Sequence, residues 1–217
     1  MTTCIPIIVI FGKPGAGKST LADAVIARAK AAGIDGPLAL DLDVCVSQQM
    51  RDNFANGIYP SLQQRKEFAL SACDYVDSKL NNSGSDSATS TAAIISFSFV
   101  NTDLRDVFRE RFPRAQWALM DVTDEVAKER IDAREGHFYK GAPPGGDSSD
   151  VEQNFVEGEA GCAADSSSND NNQDEADFND NSEWNFAPVT FSHTRLDGNE
   201  DVEVNAKKVL SILHSIL

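Results

Sequence analysis

Short apolar runs separated by longer stretches of helical periodicity organise the chain. Ile5 to Phe11 is continuous and β-branched, the pattern of a strand buried on both faces. Thr20 to Ala32, rich in Ala and Leu, predicts a helix that Gly33 stops. Pro37 to Asp41 predicts a short second strand, and Ser47 to Asn56 a helix broken by Gly57-Ile58-Tyr59-Pro60. Ser61 to Leu80 predicts a longer amphipathic helix that turns Phe68, Ala72, Tyr75, Val76 and Leu80 inward. A Ser-, Asn- and Gly-rich loop over 81–91 leads to a third strand, Ala92 to Phe99. A short basic helix from Thr102 to Arg111 and a fourth strand from Gln116 to Asp121 follow. Thr123 is placed to cap a helix running to about Arg134. Apolar positions then thin out until Trp184 to Ser192, read as a fifth strand. Val202 to Leu217 closes the chain as an amphipathic helix with Val209, Leu210, Leu213 and Leu217 inward. Alternating strands and helices with parallel crossovers predict an α/β fold: a doubly wound, five-stranded parallel sheet with helices on both faces.

The length of 217 residues suits one α/β domain, and 1–217 is read as a single unit. No apolar run is long enough to cross a bilayer, and a strand starting at Ile5 leaves no room for a signal or transit peptide. Cys4, Cys45, Cys73 and Cys162 are scattered, which reads as reduced thiols. A cytoplasmic location is therefore expected. The net charge of −15 is unevenly placed. Between Gly141 and Thr194 there is no Lys or Arg, and 12 acidic residues lie from Asp147 to Glu183. The remainder carries 22 acids against 19 basic residues, close to balance. Residues 142–183 thus read as an acidic, disordered insertion, too poor in apolar side chains to offset the entropy of ordering. With no basic stripe, neither nucleic acid nor a membrane is an expected partner. A homodimer is left open.

Gly12-Lys13-Pro14-Gly15-Ala16-Gly17-Lys18-Ser19 fits G-x-x-x-x-G-K-[ST] at every fixed position, between a strand and a helix. Glycines let the backbone N–H groups turn inward, and the helix N-terminus adds partial positive charge, so Gly12 through Thr20 reads as a phosphate cradle. Lys18 is expected on the β- and γ-phosphates of ATP, and Ser19 on Mg²⁺. At the carboxyl end of the second strand stand Asp41 and Asp43, where an open parallel sheet places its ligands. Residues two apart on a strand share a face, which would aim both carboxylates at the phosphates. Asp41 is then a Mg²⁺ residue acting through water, and Asp43 the acceptor of a substrate hydroxyl proton. The competing reading is an Asx turn or a helix cap by Asp43. Arg130 and Arg134, four apart, would share a helix face, either in solvent or on the ligand. Gly136 to Gly141, rich in ring side chains, reads as the start of a mobile flap.

Taken together, these residues resemble the gluconate kinase family, within the wider group of shikimate-kinase-like and nucleoside-monophosphate-kinase-like P-loop kinases. The resemblance runs from Ile5 to Lys140. Asp41-x-Asp43 is similar to that family's paired aspartates. Gly57 and Arg65 fall on its Gly-x-Pro-Leu stretch and following Arg, and Ser98 and Arg105-Asp106 on its strand end and Tyr-Arg-Asp. Arg130-x-x-x-Arg134-Glu135-Gly136-His137-Phe138-Tyr139-Lys140 is very similar to its lid. Differences cluster on the sugar-acid side, where Val46 replaces a His, Leu62-Gln63-Gln64 an acidic run and Asn101 a Lys. The resemblance implies a P-loop NTPase fold of the small-molecule kinase type and transfer of the γ-phosphate of ATP to a hydroxyl of a sugar acid, gluconate foremost. Lys18, Asp43, Arg130 and Arg134 would be catalytic, and Asp43, Arg65, Arg105 and His137 would bind the acid. A shikimate or nucleotide kinase, or a nucleotide-binding regulator with weak ATPase activity, are the alternatives.

Overall fold

A computed structural model of the chain describes residues 5–34, 36–56, 58–82, 91–134 and 186–217. Five parallel strands, β1 (Ile7–Gly12), β2 (Pro37–Asp41), β3 (Ala92–Phe97), β4 (Gln116–Asp121) and β5 (Thr194–Asp197), pair in the order β2-β3-β1-β4-β5. Six helices connect or follow them: α1 (Lys18–Ala31), α2 (Gln48–Ala55), α3 (Leu62–Asn82), α4 (Thr102–Arg111), α5 (Asp124–Asp132) and α6 (Val202–Ile216). The chain leaves β1 towards one sheet edge, returns through β3, then passes over β1 to reach β4. That reversal opens a crevice at the carboxyl ends of the strands.

The central strand explains why its sequence is apolar without alternation. Val9 and Phe11 enter one core layer with Phe68, Val76, Leu104 and Phe108 of α3 and α4. Ile8 and Ile10 enter the opposite layer with Leu21 and Val25 of α1 and Val209 and Leu213 of α6. Both faces of β1 are buried, so every position must be apolar. Each such aliphatic or aromatic side chain contributes about 2 kcal/mol by leaving water. The caps follow the sequence too: Thr123 Oγ1 accepts from Val126 N at the start of α5, and Ser47 Oγ from Met50 N at the start of α2.

Four expectations change. The fifth strand is Thr194–Asp197 and not Trp184 to Ser192; Trp184 itself lies outside the described residues. Phe186, Val189 and Phe191 look strand-like because they pack on the α3/α4 layer, where Phe191 stacks on Phe11 at 5.9 Å and meets Trp117 edge-on at 5.1 Å. Pro188 has no N–H for a ladder, whose first rung is Ala118 with Thr194. In β5 only Leu196 is buried, which hid the strand among polar neighbours. Leu217, expected inward, is 57% exposed, since α6 ends at Ile216. β3 ends at Phe97, before the expected Phe99, because Phe99 adopts φ +45°, outside the strand region. The acidic stretch over 142–183 lies outside the described residues, as do most of the loop over 81–91 and Cys4 and Cys162. Burial pushes the remaining buried thiol, Cys73, up to about 12, so it stays protonated. No helix among the described residues is long and apolar enough to cross a membrane.

The fourth correction concerns Arg105, expected to bind a substrate carboxylate. It is 1% exposed and spends its donors on main chain. Nε donates to Phe99 O at 2.7 Å and Nη2 to Val100 O at 3.0 Å. Nη1 donates to Ala187 O at 2.8 Å and to Pro188 O at 3.0 Å. Its guanidinium lies 4.5 Å from the Phe186 ring centre. Burial lowers its pKa to about 10, which leaves it charged at neutral pH. Arg105 thus clamps the turn after β3 to the segment preceding β5. The four carbonyls hold the strained Phe99 in place, a conformation that costs on the order of 1 kcal/mol. Arg105→Ala should lower stability by about 4 kcal/mol, since several buried acceptors lose their donor at once. Urea unfolding reads this directly, and Arg105→Lys should rescue little because one ammonium cannot span the four acceptors.

Candidate active site

Three strands deliver the site. Register sets Asp41 beside Ser96 and Phe11 beside Phe97, so the ends of β1, β2 and β3 are level. Above them lies a cleft open to solvent. The loop from Gly12 to Ser19 forms its floor. Gly12 has φ +147°, and a Cβ there would stand 2.3 Å from Met120 O on β4. Gly15, at φ +82°, would place a Cβ 2.4 Å from Ala127 O on α5. Both positions need glycine for space as well as for conformation. Ala16 is fully buried, whereas Thr20 is exposed. Pro14, Gly15, Gly17, Lys18 and Ser19 line the cleft. Gly17 starts α1 with no side-chain cap, and the first turn carries no acid, so the N–H groups there remain available to an anion.

Lys18 sits at the bottom, its Nζ donating to Lys13 O at 2.9 Å. Burial lowers its pKa to about 8, against the opposing pull of Asp43 and then Asp41; Arg134 lowers it further. Lys13 points away and pairs with Asp124 at the start of α5. Ser19 Oγ donates to Asp41 Oδ2 at 2.6 Å, while Asp41 Oδ1 accepts from Asp43 N at 3.0 Å. Hydroxyl and carboxylate together are hard oxygen donors that fit Mg²⁺. Among the described residues no group of three or more His, Cys, Asp or Glu is placed to hold a metal ion.

Asp41 and Asp43 both line the cleft, but not through strand alternation. β2 stops at Asp41, and a 3-10 turn over Leu42–Cys45 carries the chain onward, capped by Asp41 itself. The turn buries Leu42 and brings Asp43 to the rim. Asp43 does not cap α2; Ser47 does. Arg51 Nη2 donates to Asp43 O at 2.5 Å and fixes the turn.

The arginines part company. Arg134 lines the cleft, close enough to affect Lys18. Arg130 turns the other way and donates from Nη2 to Gly198 O at 3.1 Å, beyond β5. They share no face because α5 ends at Asp132, before Arg134. Arg65 lines the far end, 6% exposed, donating from Nε to Asp103 Oδ2 at 3.0 Å and from Nη1 to Pro60 O at 3.3 Å. His137 and Gly57 lie outside the described residues, as does the flap from Gly136 to Gly141. Sequence reasoning missed Gly198, whose Cβ would meet Val122 Cγ1 at 2.3 Å and approach Ala16 O at 3.5 Å. It closes against the loop from a turn after the misplaced strand. Also missed were Met50 and Phe54 of α2 and Phe97 of β3 as cleft walls; their apolar spacing reads equally well as core.

No family model matches the chain, and no curated protein matches it in sequence. Solved structures do match its fold. An unliganded sugar kinase from Janibacter sp. HTCC2649 aligns over 97% of this chain and 95% of its own, with TM-score 0.62 and 20% identity. A gluconokinase from Sinorhizobium meliloti 1021 aligns over 97% and 93%, with TM-score 0.54 and 15% identity. The APS kinase of Mycobacterium tuberculosis, solved with AMPPNP and APS, aligns over 97% and 99%, with TM-score 0.56 and 13% identity. The architecture is that of the α/β P-loop NTPases.

A lysine with a pKa near 8 gives the site a pH signature. Affinity for a nucleoside triphosphate should weaken as pH rises through about 8, approaching tenfold per unit, as the ammonium is lost. Lys18→Arg should remove this step between pH 7 and 9.5. Fluorescence titration with a labelled nucleotide measures both. In the free protein the unfolded chain binds the extra proton between about pH 8 and the usual lysine value of 10.5, so Lys18 makes stability rise with pH across that window.

Proposed function

We propose that the protein is an ATP-dependent small-molecule kinase that phosphorylates a hydroxyl of a small acid. One observation carries this reading: Lys18 of the glycine loop and Asp43 in the turn after β2 line the same cleft. A nucleotide-binding module needs the first of these alone. An acceptor hydroxyl also needs the second.

In this mechanism the loop amides and Lys18 grip the triphosphate. Ser19 and Asp41 are the residues that would hold Mg²⁺, which when bound neutralises phosphate charge. Asp43 orients the acceptor hydroxyl and takes its proton as the acceptor oxygen bonds to the γ-phosphorus. The bond from that phosphorus to the β-phosphate oxygen breaks, and ADP leaves. Arg134 lies at the mouth, where it balances charge on the transferring group. Little covalent chemistry is asked of the protein; positioning and charge neutralisation carry the rate. The lid sequence and Asp41-x-Asp43 are similar to those of gluconate kinases, and the sugar kinase and gluconokinase folds support a small-molecule kinase. Val46, Leu62-Gln63-Gln64 and Asn101, however, depart from the gluconate pattern on the acceptor side. The acceptor proposed is therefore a small hydroxy acid, with gluconate as the reference compound. Arg65 is the candidate partner for the acid's carboxylate.

A coupled assay of ADP release over gluconate, shikimate, other sugar acids and nucleotides tests the proposal. Acceleration by one acid above background ATPase is the expected result, and none by any acceptor would favour a nucleotide-binding regulator. Asp43→Asn should lower kcat roughly 100-fold or more while nucleotide affinity holds. An unchanged kcat would remove Asp43 as base. Lys18→Met should cost about 3 kcal/mol of transition-state stabilisation.

A further inference from the structure

The cleft has two chemically distinct ends. Lys18, Ser19, Asp41 and Arg134 make one end ionic. The other is walled by Val46 after the 3-10 turn, Met50 and Phe54 of α2, Phe68 of α3, Phe97 of β3 and Leu104 of α4. Val46, Phe68 and Leu104 are 6–8% exposed, and the rings of Phe68 and Phe97 meet at 5.2 Å, so this wall is packed and shaped in advance. Among the described residues, polar side chains at this end are few: Asp43, Arg65, Ser96 and Ser98. The charge of Arg65 is balanced by Asp103.

We propose that the acceptor is a hydroxy acid with a branched or cyclic hydrocarbon body, not an open polyol. One hydroxyl meets Asp43, and the body packs against Val46, Met50, Phe54, Phe68, Phe97 and Leu104. A single carboxylate reaches Arg65. The physical reason is desolvation. Each hydroxyl carried into an apolar wall loses its water partners and finds no replacement. One such added hydroxyl in a hydrophobic pocket costs up to about 100-fold in discrimination. A polyol presents several at once, while a hydrocarbon body gains from the same wall. This inference rests on the kinase reading for the role of Asp43, but binding alone tests it.

Calorimetry on the full chain with saturating AMPPNP would compare mandelate, pantoate and mevalonate, which have aromatic or branched bodies, with gluconate. At least one of the first three should bind 10-fold or more tighter than gluconate. Met50→Gln, which keeps the side-chain length, should weaken that acid at least 5-fold, with retained AMPPNP binding as the folding control. Gluconate binding as tightly as, or tighter than, all three overturns the inference. So does failure of all three to bind a protein that binds AMPPNP. Tight binding without transfer from ATP supports the apolar chamber and overturns the kinase reading alone.

Discussion

The phosphate-binding loop rests directly on the main chain of two other elements. At Gly12 it passes over Met120 O of β4, and at Gly15 over Ala127 O of α5, each too close for a methyl group. These two contacts fix the height of the loop above the sheet. They set where Lys18 emerges and how α1 points its uncapped N-terminus into the cleft. A longer side chain at either glycine would lift the loop off β4 or push α5 away, and both walls of the site would move together.

With the loop fixed, the electrostatics follow from a few contacts. Lys18 is poor in water, so its proton is loosely held. Two carboxylates compensate in part, and a bound polyphosphate would complete the compensation. Asp41 serves three purposes: it ends β2, accepts from Ser19 and caps the turn that presents Asp43. The acceptor side is built differently, from side chains of α2, α3 and the end of β3 that are mainly hydrocarbon. On the proposed reading, nucleotide recognition would rest on main chain and charge, and acceptor recognition on shape and desolvation.

Much of this was legible from residue order. The loop, β1 and the start of α5 carry clear local signals: glycines at required positions, a β-branched run and a capping Thr123. Where the reading failed, tertiary contacts had overridden local pattern. Phe186 and Phe191 look like strand residues because they are apolar, yet they are partly buried against an aromatic cluster around Phe11 and Trp117. Arg105 is expected on the substrate because it falls on the Arg of the Tyr-Arg-Asp in the kinases that the chain resembles, yet its donors go to main-chain carbonyls that no sequence pattern marks. Arg130 and Arg134 were paired by helical spacing, which lapses once α5 ends at Asp132. Asp43 reaches the cleft through a 3-10 turn and not through the strand alternation that residue order suggests.

The order of the strands has a consequence for biosynthesis. β5 joins β4 across 72 intervening residues, and α6, which follows β5, covers the apolar side of α1. Lengthening that connection is cheap at equilibrium, about 0.6 kcal/mol for each doubling. In time it is expensive. Leu21, Ala22 and Val25 of α1 leave the ribosome long before Val209 and Leu213 exist to cover them. The nascent chain thus carries an uncovered apolar face on α1 until α6 has been made.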